Sequence, residues 1–125
     1  MTNIIFYRKS GDIIGFQSKG HAGHGMRGTD VVCASVSALI INTINSIEKL
    51  THDKFDENIN DRRAIIEFQI DGAVSNESEL FFKSLELGLT EIARDYPGNV
   101  SIKYRDYYYH GCIRHSRRCN TYVKT

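Results

Sequence analysis

Apolar positions along the chain switch between a period of two and a period near 3.6, and the switches mark its elements. Ile4 and Phe6 alternate with Ile5 and Tyr7, and Ile14 and Phe16 alternate with Ile13 and Gln17. Ser10-Gly11-Asp12 lies between them and supplies turn chemistry, so residues 3–8 and 12–19 read as a two-stranded hairpin. Glycine then crowds the chain, with four of its ten glycines inside residues 20–28. Beyond that loop Cys33, Val36, Ile40, Ile44 and Ile47 recur at helical spacing and predict one apolar helix face. Thr29 or Asp30 reads as the N-cap, because a short side-chain oxygen accepts from the free amides of a first turn.

Residues 52–58 are polar and show no clear period; an edge strand fits them. Ile66, Phe68 and Ile70 alternate with Glu67 and Gln69 as a half-buried strand that ends at Asp71-Gly72. A second helix is predicted from Asn76, with Glu79 as capping-box partner and Phe81, Leu85, Leu89, Ile92 and Tyr96 as its apolar face. Pro97-Gly98 stops it, and Val100, Ile102 and Tyr104 form a last strand. The order β-β-α-β-β-α-β predicts an α/β (α+β) two-layer fold, two helices packed on a mixed four- to five-stranded sheet.

Composition narrows the function classes. The 125 residues are 41% hydrophobic and 25% charged, ordinary globular usage for one domain. Lys+Arg is 16 against 15 for Asp+Glu, so the whole chain carries no nucleic-acid or membrane footprint. The charge is uneven, however. Residues 1–105 sum to −2, whereas residues 106–125 sum to +3 and hold three consecutive tyrosines and two of the three cysteines. That shift divides the chain into a domain, 1–105, and a basic tail, 106–125, expected to be poorly ordered.

An odd number of cysteines makes no disulfide framework. The start of the chain lacks a signal-peptide layout, and the uncharged run Val31 to Ile47 is too short and too polar for a membrane span. The expectation is a soluble cytoplasmic protein without membrane contact.

Chemistry concentrates in Gly20-His-Ala-Gly-His-Gly-Met-Arg-Gly-Thr-Asp-Val-Val-Cys33. Gly23-x-Gly25-x-x-Gly28 matches the dinucleotide fingerprint, but a Rossmann unit needs repeated βαβ crossovers, and this chain opens on a hairpin. Cys33 with His21 is the stronger constellation. A cysteine attacks as thiolate, and a position in the first turn of a helix, with an imidazole in reach, favours that form. Asp30 either orients His21 or caps the helix, and sequence does not separate the two. Ser37 is four residues on, hence on the same helix face as Cys33, and bonds either near the sulfur or back to the Cys33 carbonyl. The bland alternative for Cys33 is a small buried hydrophobe. The glycines around His21 also lower the cost of unusual backbone angles, a property that a lid needs.

The tail offers His110, Cys112, His115 and Cys119, whose spacing matches no common zinc motif, so neither metal nor cofactor is expected. Arg114, Arg117 and Arg118 beside Tyr107–Tyr109 suit RNA contact by charge and stacking.

At Gly20-His21-Ala22, then Asp30-Val31-Val32-Cys33-Ala34 and Ser37-Ala38, the chain resembles the ribosomal-processing cysteine protease family, Prp. The likeness runs from about residue 3 to 105. It implies a homodimeric peptidase with Cys33 as nucleophile and His21 as base and acid. Gly20, Asp30 and Ser37 match further motif positions with supporting roles. The implied substrate is the N-terminal extension of large-subunit ribosomal protein twenty-seven, so the implied function is ribosome maturation. Ser35 stands where the family carries a smaller residue, and residues 106–125 run past the point where related chains tend to stop. From another class, the alternative is a ribosome- or RNA-associated binding protein that uses the basic tail, with Cys33 inert.

Overall fold

The hairpin at the start of the chain becomes the centre of a mixed sheet. The computed structural model describes residues 1–20, 29–109 and 122–124. β1 (Thr2–Lys9) and β2 (Asp12–Lys19) pair antiparallel around a tight turn in which Ser10 and Gly11 both have positive φ. Two such residues in succession match the twist of the flanking strands. α1 (Thr29–Leu50) follows, then β3 (Phe55–Asn60), β4 (Ile65–Ile70), α2 (Asn76–Asp95), β5 (Val100–Tyr109) and the short β6 (Tyr122–Lys124). The sheet order is β3-β4-β2-β1-β5-β6, with β1 and β5 parallel and every other pair antiparallel. The predicted two helices on a mixed sheet are what the chain forms, in the predicted order. β6 is added at the β5 edge.

Both helices pack on one sheet face and close an apolar core. Phe6, Phe16, Phe68 and Phe82 are fully buried there, and the Phe16 and Phe68 rings stack at 5.7 Å. Gly15 is required where β2 passes β4, since a Cβ would sit 2.4 Å from the Phe68 carbonyl oxygen. α1 is long and apolar enough by length and composition to cross a membrane. Here it buries Val32, Val36, Ile40, Ile44 and Ile47 against the sheet.

Four local expectations are corrected. The core row of α1 starts at Val32, not Cys33, which lies about 100° further round the helix and leaves the core. On α2 the fully buried phenylalanine is Phe82, with Phe81 partly buried; Ser78, Phe82, Leu85 and Leu89 make the inward row, and Tyr96 is exposed. The cap of α2 is Ser75 rather than Asn76. Its hydroxyl accepts from the Ser78 amide at 3.1 Å and donates to Asp53 at 2.7 Å, while Glu79 pairs with Lys83 at 3.1 Å. β5 runs to Tyr109 rather than residue 105, because its parallel ladder with β1 continues to Tyr107 opposite Lys9.

Candidate active site

Cys33 is a free, half-buried thiol on α1 that opens on a cleft of about 210 Å³. α1 supplies Cys33 and Ser37 to this cleft, β2 and its end supply Ser18 and Gly20, and the β3–β4 turn supplies Asn60, Asp61 and Ala64. The predicted i,i+4 relation between Cys33 and Ser37 holds, since both side chains face the same space. The thiol is therefore not part of the apolar core.

α1 begins at Thr29, so Cys33 is its fifth residue and stands one or two positions deeper than an N-cap at 29 or 30 implies. Only the first four amides of a helix lack an intrahelical acceptor, so the Cys33 amide already belongs to the helix ladder. Donors for a developing charge must then come from elsewhere. Among the described residues, the hydroxyls of Ser18 and Ser37 and the amide of Asn60 line the cleft. Asn60 accepts from the Arg63 amide at 3.1 Å through Oδ1, which leaves its NH₂ group as the donor.

Gly20 is held tightly. Its φ is +99°, and a Cβ there would lie 2.5 Å from the Met1 carbonyl oxygen. Its amide donates to the Ala64 carbonyl at 3.0 Å, and Ala64 itself has a φ of 52°. The β3–β4 turn is thereby pinned against the end of β2 as the second wall of the cleft. Sequence reading missed this wall. Asn60-Asp61-Arg62-Arg63 is visible as turn chemistry between Ile59 and Ile65, but no local pattern says that it meets residue 20.

His21, with the rest of the loop to residue 28, lies outside the described residues, as do the four tail ligands and the tail arginines. Asp30 is the second residue of α1, and its side chain is outside the description too. Among the described residues no cluster of three or more His, Cys, Asp or Glu suits a metal ion.

A half-buried thiol on a helix, opening on a cleft beside a two-layer α/β sheet, defines the class: an α/β protein with a cleft-lining thiol. Comparison with known proteins makes this specific. The family described as cysteine protease Prp matches residues 1–101. The chain is 30% identical over 86 residues to the ribosomal processing cysteine protease Prp of Staphylococcus aureus, spanning 69% of this chain and 81% of the relative. A crystal structure of that essential ribosomal processing protease with a covalently linked product peptide superposes with a TM-score of 0.76 at 27% identity, over 83% of this chain and 99% of the other. A second, in complex with a substrate peptide, gives 0.77 at 26% identity over the same shares. The chain belongs to the cysteine protease Prp family.

Proposed function

We propose that this chain is a cysteine endopeptidase that removes the N-terminal extension of large-subunit ribosomal protein twenty-seven during ribosome maturation. The observation that carries the reading is the Cys33 thiol, turned out of the core into a cleft in a family of cysteine proteases. His21 follows Gly20 in the chain, and Gly20 lines that same cleft, which supports His21 as the general base.

In the proposed mechanism His21 takes the Cys33 proton, and the thiolate attacks the scissile carbonyl. His21 returns the proton to the departing amine, leaving a thioester on Cys33. Water, deprotonated by His21, then releases the acid and restores the thiol. Ser37 and Asn60 supply hydrogen-bond donors at the cleft for the tetrahedral oxyanion. Asp30 supports His21 or the helix start, and Gly20 holds the backbone before His21. The reading includes a cytoplasmic homodimer.

The test is cleavage of a synthetic peptide spanning the precursor's extension, followed by mass spectrometry beside Cys33→Ala and His21→Ala. Cleavage by the parent protein and by neither variant is expected. An intact peptide and an intact full-length precursor after incubation with folded, reduced protein overturn the proposal.

A further inference from the structure

The Cys33 cleft does not end at Cys33. Ile59, Asp61 and Ile66 also line a larger hollow of about 420 Å³, which extends between the outer side of α1 and β3. Its floor is apolar: Ile41 and Ile44 come from α1, Ile59 and Ile66 from the β3–β4 pair, and Ile41 and Ile59 are 51% and 52% exposed. Its far rim carries Glu48 from α1 and Glu57 from β3. No ion pair among the described residues engages Glu48, Glu57 or Asp61. No Lys, Arg or His among them lines either hollow.

Among the described residues β3 is the outermost strand of the sheet and pairs only with β4. Its other edge has no strand beside it among the described residues, which makes it a template for one more strand. Fifteen residues of α1 separate Cys33 from Glu48, about 22 Å at the helical rise. An extended peptide covers that distance in about six or seven residues.

Resting on the peptidase reading above, we infer that the α1–β3 groove is where substrate specificity is read. An extended peptide pairs with the free edge of β3, seats apolar side chains on Ile41, Ile44 and Ile59, and carries a Lys or Arg to Glu48 and Glu57 some six residues from the scissile bond. Edge pairing accepts any sequence, the isoleucine floor selects apolar side chains, and the two carboxylates select a basic flank. The groove thus separates recognition from the chemistry at Cys33.

The experiment uses the full chain and fluorescein-labelled junction peptides of the precursor, flanked on both sides by Lys-Lys or by Gln-Gln. Binding is read by anisotropy on Cys33→Ala protein, and cleavage on the parent. The Lys-flanked peptide is expected to bind about five-fold tighter, a preference of the size two surface charge pairs give. That preference should vanish in the Glu48→Gln/Glu57→Gln variant, with KM rising and kcat unchanged. Methylation of alternate peptide amides should abolish binding. Equal affinity for the two peptides, a preference that survives in the double variant, or indifference to amide methylation overturns the inference. Failure of the peptidase reading shows separately, as no cleavage of either peptide by the parent. Circular dichroism and the Cys33 alkylation rate of the double variant verify that fold and thiol are intact.

Discussion

The Gly20 amide donates to the Ala64 carbonyl at 3.0 Å, and this bond joins two segments that are 44 positions apart in the chain into one rim of the Cys33 cleft. Both residues have positive φ, +99° at Gly20 and 52° at Ala64. The rim is thus built from backbone conformations that L side chains adopt only at a cost, and it is held by a neighbour rather than by local preference.

Gly20→Ala should lose at least about 2 kcal/mol of stability, since the left-handed backbone cost of roughly 1–2 kcal/mol is joined by a clash with the Met1 carbonyl. Gly11→Ala has a similar φ of +86° but no heavy atom within 4 Å of the new Cβ, so about 1 kcal/mol is expected. Urea unfolding of the pair isolates the clash. Peptidase activity should fall for Gly20→Ala alone.

Phe82→Ala should cost about 3–5 kcal/mol, because a fully buried ring in edge contact with Phe16 and Phe68 leaves a cavity. Phe81→Ala, its partly buried neighbour, should cost less than half as much. Comparable losses in chemical denaturation would contradict the inward row assigned to α2.

Burial pushes the Asp53 carboxyl up, but the neighbouring Ser78 hydroxyl and donation from the Ser75 amide at 3.0 Å and hydroxyl at 2.7 Å more than offset this and hold it below its ordinary value. A depressed carboxyl contributes stability above its unfolded pKa of about 4 and loses it as pH falls through the folded value. Ser75→Ala should therefore cost about 1 kcal/mol near neutral pH, with a difference from the parent that narrows below about pH 4. Thermal melts across that range check it.

Tyr104 is pushed up to about 12, first by burial and then by its hydrogen bond to Glu86 and that carboxylate's charge. Tyr7 is raised further, by burial and by Glu67, to which its hydroxyl donates at 3.1 Å. A raised phenol contributes stability below its unfolded pKa of about 10 and loses it as pH climbs through the folded value. The protein should thus weaken steeply above about pH 10. Tyrosinate absorbance should show Tyr7 and Tyr104 titrating late, with Glu86→Gln bringing Tyr104 earlier.

Much of the fold was legible because period reports which face of an element is buried. Alternation at Ile4–Tyr7 and at Ile66–Ile70 marked strands, and Asp71-Gly72 and Pro97-Gly98 marked ends. Period does not resolve which of two adjacent apolar residues turns inward. Phe81 and Phe82 differ by one helix step, and only the opposing Phe16 and Phe68 rings choose between them. Cys33 and Val32 pose the same problem, and there the answer separates a core side chain from one that faces a cleft.

By itself the sequence determined the element order, the two-layer class, the pairing of Cys33 with Ser37 on one helix face, and, through Gly20-His21-Ala22 and Asp30 to Cys33, the family. These are local or short-range properties, set by turn chemistry, helical spacing and motif. Only the tertiary structure decided that Cys33 leaves the core, that α1 begins early enough to take its amide into the ladder, and that the turn after Asn60 walls the cleft. Those outcomes depend on contacts between segments far apart in the chain, such as Gly20 with Ala64, and no local pattern encodes a partner that folding brings from elsewhere.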